Sequence, residues 1–224
     1  MKTLDLTKLI LHKRNFLSKK ECDILINYYE NNKEKSEREH CPEAVTNKDT
    51  WSTFDRVEVP CGSEAYKIAT KAIEKMINLY HSYTDKFKMF HSARRANMLY
   101  SHMIRLMKYE TGAKIHAHSD HDPFVYGSCT INLNEEYTGG DFRFFRGKKH
   151  LKLKRGDALI FPADHYWVHE VEPIKKGTRY SVNCFLQCIP ESIKQELCIK
   201  KNELLDKYVF TPKDGIEYNI KKIN

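Results

Sequence analysis

Between about residue 98 and residue 187 the sequence is a succession of short β-prone segments, and this pattern constrains the possible folds more than any other feature. Runs rich in β-branched and aromatic residues are separated by turns that contain glycine or proline, which is typical of strands joined by tight connections. Eight strands are predicted, over residues 98–109, 113–117, 125–134, 141–146, 150–154, 157–161, 167–172 and 178–187. Short strands closed by such turns favour a double-stranded β-helix, or jelly roll.

Two helices are predicted ahead of these strands. Ser18 and Glu21 have the spacing of a capping box, in which the serine oxygen and the glutamate carboxylate satisfy free amide groups at a helix start. This first helix runs to about Asn31. Apolar residues recur at helical spacing over residues 64–88, which predicts the second helix. Residues 6–17 are predicted as a lead-in strand.

The remaining segments complete one structural domain. The polar and charged residues 32–50 are predicted as a mobile loop, and residues 190–206 as a helix. The fold class is therefore mainly β with flanking helices (α+β), built on a double-stranded β-helix (jelly-roll) core. Its predicted parts are supporting elements over 1–97, the β core over 98–189 and a C-terminal helical extension over 190–224.

Charge and cysteine content narrow the classes of function. Lysine and arginine outnumber aspartate and glutamate by 38 to 30, and the formal net charge of +8 favours acidic partners, but scattered lysine is more typical of a solvated surface than of a nucleic-acid interface. Seven cysteines without tight repeating spacing predict neither a disulfide framework nor a zinc site. No segment has the roughly 18 apolar residues of a membrane span or the apolar stretch of a secretory signal. We therefore expect a soluble, cytoplasmic protein.

A dense group of possible metal ligands lies between the second and third predicted strands. Its members are His116, His118, Asp120, His121 and Asp122. His118 and Asp120 are two residues apart, so in an extended chain their side chains leave the same face and can converge on one ion. A third ligand has to come from elsewhere in the chain.

Two histidines downstream are candidates for that third ligand. His169 lies within the apolar alternating run from Trp167 to Val171, which places it on a strand, whereas His165 follows Pro162 and belongs to a loop. His169 is therefore the predicted ligand. The other polar residues of the two groups are predicted to be rim or solvated side chains: His116, His121, Asp122 and His165.

Two imidazoles and a carboxylate on one face of a metal leave its other positions open, as in non-haem Fe(II) oxygenases. Open positions admit a bidentate 2-oxo acid and dioxygen. A 2-oxo acid with a distal carboxylate needs a cation at the far end of its pocket, and Arg179 lies ten residues after His169. Ser181 shares the face of Arg179 by strand parity, and Tyr109 lies on the strand before the first ligands, so both can add hydrogen bonds. Asn132 is a further candidate for cofactor contact.

Short motifs with family-like order and spacing follow one another along residues 98–188. They are Tyr109-Glu-Thr-Gly112, His118-Ser-Asp120, Tyr137-Thr-Gly139-Gly140-Asp-Phe, Lys154-Arg-Gly156-Asp and His169 to Ser181. This stretch resembles the catalytic core of the Fe(II)- and 2-oxoglutarate-dependent dioxygenases, in their prolyl 4-hydroxylase and lysyl hydroxylase group. The resemblance implies iron bound by His118, Asp120 and His169, 2-oxoglutarate held by Tyr109 and Arg179, and ascorbate as a reductant.

The resemblance leaves the choice between prolyl and lysyl targets open. Collagen-type prolyl 4-hydroxylases usually carry lysine where this chain has Arg179, whereas lysyl hydroxylases and oxygen-sensing prolyl hydroxylases carry arginine. Phe185 falls where related enzymes often place an aromatic residue near the substrate. The leading hypothesis is hydroxylation of a prolyl or lysyl residue of a protein or peptide, with succinate as a product. The sequence indicates no oligomeric state.

Two other functions compete with this hypothesis. One is oxidation of nucleic acid, which the positive charge favours. Enzymes that repair alkylated bases usually carry a second arginine six residues after the first, and Phe185 occupies that position here, which argues against a nucleic-acid substrate. The other is a non-catalytic jelly-roll binding module, since a fold alone does not imply activity. The presence of every predicted metal and 2-oxo-acid residue argues against it.

Overall fold

The two predicted helices both form, and they precede most of the strands. The computed structural model describes residues 5–41, 52–60, 62–87, 98, 100–121, 125–187 and 208–210. Helix α1 covers Lys19–Asn31 and α2 covers Glu64–Asp85. The predicted capping box begins α1: the Glu21 amide donates to Ser18 Oγ at 3.3 Å, and the Ser18 amide donates to Glu21 Oε2 at 2.8 Å. No helix among the described residues is both long and apolar enough to cross a membrane.

The strands pair antiparallel throughout. In chain order they are β1 Leu11–Lys13, β2 Glu37–Cys41, β3 Ser52–Glu58, β4 Tyr100–Tyr109, β5 Ile115–His118, β6 Val125–Asn132, β7 Tyr137–Gly139, β8 Phe142–Phe144, β9 Lys149–Leu151, β10 Ala158–Pro162, β11 His169–Val171, β12 Ile174–Gly177, β13 Arg179–Gln187 and β14 Tyr208–Phe210. A large sheet has the order β1-β10-β6-β13-β4-β3-β2, with β14 beside β4. A four-stranded sheet has the order β5-β11-β8-β9, and β12 pairs with β7.

Alternation along the central strands gives the large sheet two different faces. Val182, Cys184 and Leu186 on β13 belong to the apolar cluster that also contains the buried residues of α1 and α2. Arg179 and Ser181, on the same strand, point to the opposite face, because successive side chains of a strand alternate. The helices therefore cover one face of the large sheet, and the other face carries Arg179 and Ser181 together with apolar residues that pack against the four-stranded sheet.

A second apolar cluster joins the large sheet to the four-stranded sheet. Leu159 and Phe161 of β10 pack there with Phe142 and Phe144 of β8 and with Trp167. Two antiparallel sheets packed in this way, with helices on the outer face, confirm the predicted fold class. The buried position of Trp167 agrees with a core role rather than a substrate contact.

Several predicted boundaries were wrong. The segment 6–17 is not one strand: Leu6–Leu9 is a 3-10 helix, started by Asp5, whose carboxylate accepts the Thr7 amide at 3.0 Å, and only Leu11–Lys13 is extended. Part of the predicted loop 32–50 is strand β2, and the rest lies outside the described residues, as does the predicted helix 190–206.

Strands β2 and β3 were missed because charged residues that form ion pairs dominate their sequences, although Phe54 and Val57 of β3 are buried. Arg38 on β2 pairs with Asp55 on β3 at 2.8 Å, and Arg56 on β3 pairs with Glu37 on β2 at 2.8 Å. Opposite charges across two strands contribute modestly to pairing, and they look like a solvated loop in a hydropathy pattern. The short strands β7 and β12 were missed too, since each ends in a glycine, Gly139 or Gly177, that was interpreted as part of a turn.

Candidate metal centre and its pocket

Three of the predicted site residues meet where two neighbouring strands pair. His118 ends β5, His169 begins β11, and the two residues are direct partners across these strands. Asp120 follows two residues after His118. His118 Nε2 lies 3.2 Å from Asp120 Oδ1, and His169 Nε2 lies 3.5 Å from Asp120 Oδ2. One potential ligand atom from each of the three lies within 4.8 Å of the others, a spacing that one metal ion can bridge.

Backbone carbonyl groups fix both imidazole rings. His118 Nδ1 lies 2.7 Å from the His116 carbonyl oxygen, and His169 Nδ1 lies 3.0 Å from the Trp167 carbonyl oxygen. A carbonyl only accepts hydrogen bonds, so each Nδ1 must carry a proton and donate. In a neutral ring the Nε2 lone pair then faces the other ligands, which is the arrangement that a metal-binding histidine needs.

The three groups change one another's protonation. Burial alone would raise the pKa of Asp120, but His169 and His118 outweigh it and hold that pKa well below its ordinary value. Burial lowers the pKa of His169 to about 4, although Asp120 opposes this. Burial also acts to lower the pKa of His118, but the hydrogen bond with Asp120 prevails and the pKa is raised. The carboxylate is therefore ionised at neutral pH, as a metal ligand must be.

The triad lines a cavity of about 310 Å³ between the two sheets. Its walls combine apolar side chains with a few polar groups, as is typical of small-molecule sites. Phe185 lies on the wall, as predicted for an aromatic residue near the substrate, and so does Thr130. Tyr109 and Phe142, which also line the cavity, are the two rings that contact the Arg179 guanidinium, at 4.9 and 5.3 Å from its central carbon.

Arg179 is buried and only partly satisfied. It begins β13 opposite Tyr109 on β4, and its residue is 1% exposed. Its Nε donates to Asn132 Oδ1 at 2.9 Å, but among the described residues neither Nη1 nor Nη2 has a hydrogen-bond partner. A buried cation without an acceptor is costly, so this position is suited to an anionic ligand.

The remaining predicted cofactor residues surround this guanidinium. Ser181 Oγ is buried and lacks a hydrogen-bond partner within the described part of the chain. The Tyr109 hydroxyl lies 3.6 Å from Met107 Sδ, a weak interaction that an incoming oxygen can replace. The donors of Arg179 and Ser181 are therefore suited to a carboxylate, and Tyr109, whose ring contacts the Arg179 guanidinium, connects this end of the site to the cavity wall.

Asn132 was predicted to contact a cofactor, and its amide is instead engaged by protein. Its Oδ1 accepts from Arg179 and, at 3.1 Å, from the Tyr137 hydroxyl. Its Nδ2 donates to the carbonyl oxygens of Asn134 at 2.6 Å and Leu153 at 3.4 Å. In this structure Asn132 therefore orients the cation, a role that strand parity alone cannot reveal.

The histidines predicted at the rim lie around the triad. The His121 and His165 rings contact each other edge to face, 5.2 Å apart, and His121 lines the cavity. Both are exposed, and neither belongs to the group of converging ligand atoms. Asp122 lies outside the described residues.

Two charged residues of the cavity wall were not predicted as site residues, Arg105 on β4 and Glu39 on β2. Arg105 is four residues before Tyr109, so strand parity, which linked Arg179 to Ser181, would have placed it on the same face. Glu39 gave no such signal, because its segment was interpreted as a loop.

Known proteins are similar to this chain in sequence and in fold. Residues 104–187 match the family model described as the 2OG-Fe(II) oxygenase superfamily. A PKHD-type hydroxylase of Sphingopyxis alaskensis is 34% identical over 82 residues, which cover 34% of this chain and 37% of that protein. The match thus spans well under two thirds of that relative.

Two solved structures show the same fold. The viral collagen prolyl hydroxylase of Paramecium bursaria Chlorella virus-1, in its 2OG complex, superposes with a TM-score of 0.57 at 20% identity, covering 81% of this chain and 97% of that one. The prolyl hydroxylase of Trichoplax adhaerens, in complex with a hypoxia inducible factor peptide fragment, gives a TM-score of 0.61 at 15% identity, covering 81% and 84%.

Proposed function

We propose that this protein is an Fe(II)- and 2-oxoglutarate-dependent dioxygenase that hydroxylates prolyl or lysyl residues of a protein or peptide, since residues 104–187 match the 2OG-Fe(II) oxygenase superfamily. Succinate and carbon dioxide are the co-products, and ascorbate serves as reductant. One observation carries the proposal: a buried arginine with two unsatisfied donors contacts the wall of a cavity that also holds two histidines and a carboxylate on converging strands.

His118, Asp120 and His169 are the residues that hold the iron. When bound, iron with 2-oxoglutarate supplies the oxidation of a substrate C–H bond by dioxygen. The protein contributes the geometry: carbonyl groups keep both rings in the Nδ1-protonated form, and the ionised Asp120 neutralises part of the metal charge. Because His118, Asp120 and His169 all line the cavity, a metal ion held by them would be reachable from it.

Arg179 holds the distal carboxylate of 2-oxoglutarate through its two Nη groups, and Ser181 and Tyr109 add hydroxyl donors. Asn132 orients the guanidinium, since its Oδ1 accepts from Arg179 Nε. Packing against the Tyr109 and Phe142 rings excludes water from this end of the pocket, which strengthens the ion pair. Phe185 lines the part of the cavity that is left for the substrate.

A peptide substrate is favoured by the neighbours. The Trichoplax adhaerens prolyl hydroxylase was solved with a peptide fragment, and the viral relative is a collagen prolyl hydroxylase. The triad lies at a cavity that is open enough for His121 and His165 to be exposed beside it, so a side chain can enter from a peptide at the surface. The residues that line the cavity are equally compatible with a prolyl and with a lysyl target.

Hydroxylation assays test the proposal. Purified protein with Fe(II), 2-oxoglutarate and ascorbate is incubated with pools of proline- and lysine-containing peptides, and we expect succinate together with a peptide mass gain of roughly 16 Da, the mass of one inserted oxygen. His118→Ala abolishes both signals. His150→Ala is the matched control, because His150 also lies beside two carboxylates but on the exposed surface. Succinate that depends on oligonucleotides, or none from any substrate, would overturn the proposal.

A further inference from the structure

A second buried arginine lines the cavity. The Arg105 side chain is 7% exposed, and it borders the same space as His118, Asp120 and His169. It is not part of the site proposed for 2-oxoglutarate: Arg179 contacts Tyr109 and Phe142, whereas the Arg105 guanidinium lies 4.8 Å from the ring centre of Phe185. Arg105 therefore faces the part of the cavity assigned to the substrate.

Protein contacts fix this guanidinium without satisfying it. Arg105 Nη2 donates to Asn183 Oδ1 at 2.7 Å, and Phe185 packs against its face. Its Nε is buried and has no hydrogen-bond partner among the residues that the structure describes. Burial also lowers the pKa of Arg105, which reflects the cost of keeping this charge away from water.

The carboxylate nearest to Arg105 is shared with another cation. Glu39 Oε2 lies 3.8 Å from Arg105 Nη1, beyond hydrogen-bond distance, and the same oxygen forms an ion pair with Arg56 Nε. Among the described residues, Arg105 thus has no carboxylate within hydrogen-bond distance. A buried cation of this kind is stabilised when a bound anion supplies the missing charge, as is proposed for Arg179.

We propose that Arg105 is a specificity-determining residue that binds a carboxylate of the substrate, so that the hydroxylated residue lies next to an acidic group. This inference rests on the proposed function, which supplies the hydroxylation reaction. The carboxylate comes either from a neighbouring aspartate or glutamate side chain or from the carboxyl terminus of the substrate. The formal net charge of +8 favours association with such acidic substrates.

The geometry defines what Arg105 offers to a ligand. Asn183 and Phe185 hold the guanidinium in one orientation, so little side-chain freedom is lost when an anion binds. Its free Nε and the Nη1 that faces Glu39 are the donors left for a carboxylate. A charge-assisted contact of this type changes affinity by roughly 10- to 100-fold.

Matched peptides test the proposal. Each probe contains one proline or one lysine flanked by glutamate or by glutamine, and each is made with a free carboxyl terminus or with both termini blocked. Peptide KM and kcat are measured for hydroxylation, and peptide binding to the metal-free protein is measured by calorimetry. For wild-type protein we expect an acidic probe to have a KM and Kd roughly 10- to 100-fold lower than its uncharged counterpart. Glutamate and free-terminus probes reveal the source of the carboxylate.

Variants separate recognition from folding. Arg105→Gln removes the preference for acidic probes and leaves the KM for 2-oxoglutarate unchanged, whereas Arg105→Lys retains part of the preference. Glu39→Gln acts in the opposite direction and tightens binding of acidic probes, because it removes the competing carboxylate. Arg38→Gln is the matched control, since Arg38 pairs with Asp55 on the same sheet but does not line the cavity.

Two results would overturn the proposal. One is equal binding of acidic and uncharged probes by wild-type protein, and the other is an equal loss of affinity for acidic and for uncharged probes in Arg105→Gln. Failure of the proposed function looks different. In that case no probe is hydroxylated by the iron-loaded protein, and the calorimetric comparison of the charged and uncharged probes still decides the role of Arg105.

Discussion

At the scale of single residues, the site depends on buried charges that the described part of the chain leaves partly unpaired. Among the described residues, Arg179 has two donors without acceptors and Arg105 has one, although both guanidinium groups are held in place by an asparagine oxygen. Orientation is thus provided by neutral side chains, and the counter-charge is left to ligands. Such preorganisation lowers the cost of binding, at the expense of the ligand-free protein.

Arg179→Gln tests this view of the cosubstrate pocket. We expect the KM for 2-oxoglutarate to rise by about 100-fold, because a bidentate charge-assisted contact is lost. The melting temperature of the ligand-free variant falls little, since an uncompensated buried charge is removed along with one hydrogen bond. Titration of 2-oxoglutarate and thermal unfolding check both parts. Arg143→Gln, in an exposed ion-pair network, is the control; a large loss of ligand-free stability in Arg179→Gln alone would contradict the prediction.

Much of the site could be predicted from sequence because strand parity is a strict rule. It placed His118 with Asp120 and Arg179 with Ser181, and the structure agrees with both pairings. The bridging role of Asn132 could not be predicted, since it depends on contacts between side chains of different strands and loops. Glu39 could not be predicted for a related reason: its strand, β2, is recognised only from its pairing with β3.

At the scale of elements, the strongly patterned segments were predicted and the short or charged ones were not. Both helices and the strands nearest to eight predicted runs are present, because apolar periodicity reports burial. Strands β2 and β3 are rich in charged residues, and β7 and β12 each end in a glycine that was interpreted as part of a turn. The join between the start of α1 and the sheet could not be predicted from the sequence either. There the Phe16 and Leu17 amides donate to the Gly156 carbonyl at 2.7 and 3.0 Å.

Glycine substitutions test that join. Gly156 has φ +76°, and an added Cβ would lie 2.3 Å from the Leu17 carbonyl oxygen, whereas Gly112 has φ +89° and open space around that position. Gly112→Ala should cost about 1–2 kcal/mol for the left-handed backbone alone. Gly156→Ala should cost more, since Leu17 and the start of α1 must move as well. Chemical denaturation of both variants measures the difference, and equal losses would show that the contact with Leu17 is unimportant.

At the scale of the whole molecule, a hydrogen bond between two side chains helps to tie the helical layer to the sheet. The Tyr180 hydroxyl of β13 donates to Glu30 Oε1 of α1 at 2.5 Å, and Lys108 Nζ lies 3.4 Å from the same oxygen. The Tyr180 bond, followed by Lys108, lowers the pKa of Glu30 below its ordinary value of 4.5, against burial. A depressed carboxyl pKa stabilises the folded state above the ordinary pKa, and this stabilisation is lost as pH falls through the lowered value.

Tyr180→Phe should therefore destabilise the protein in a pH-dependent way. We expect a loss of about 1 kcal/mol near pH 7, because the Glu30 carboxylate is partly exposed and water screens the interaction. The difference from wild type should shrink as pH falls below 4.5, where Glu30 becomes protonated in both proteins. Urea denaturation across pH 3–7 measures it, with the exposed Tyr126→Phe as control. A difference independent of pH would assign the loss to packing instead.

Metal removal should also affect the whole chain. A ligand that binds only the folded state at about 100 times its Kd stabilises it by about 2.7 kcal/mol. We expect Mn(II), a redox-stable substitute for Fe(II), to raise the melting temperature, with a further rise on addition of 2-oxoglutarate. A chelator reverses both shifts, and Asp120→Ala shows neither. Shifts that persist in Asp120→Ala would place metal binding elsewhere, for example at Asp141, His150 and Glu172.

The direct pairing of His118 with His169 links metal uptake to the correctness of folding. Side chains alternate along a strand, so a slip of one residue between β5 and β11 would turn one imidazole to the far side of the sheet and separate the ligands. Misaligned chains would then remain metal-free and inactive, however well their helices had formed. The amount of metal bound by a freshly refolded sample would therefore measure the fraction of molecules in which β5 and β11 pair in the correct register.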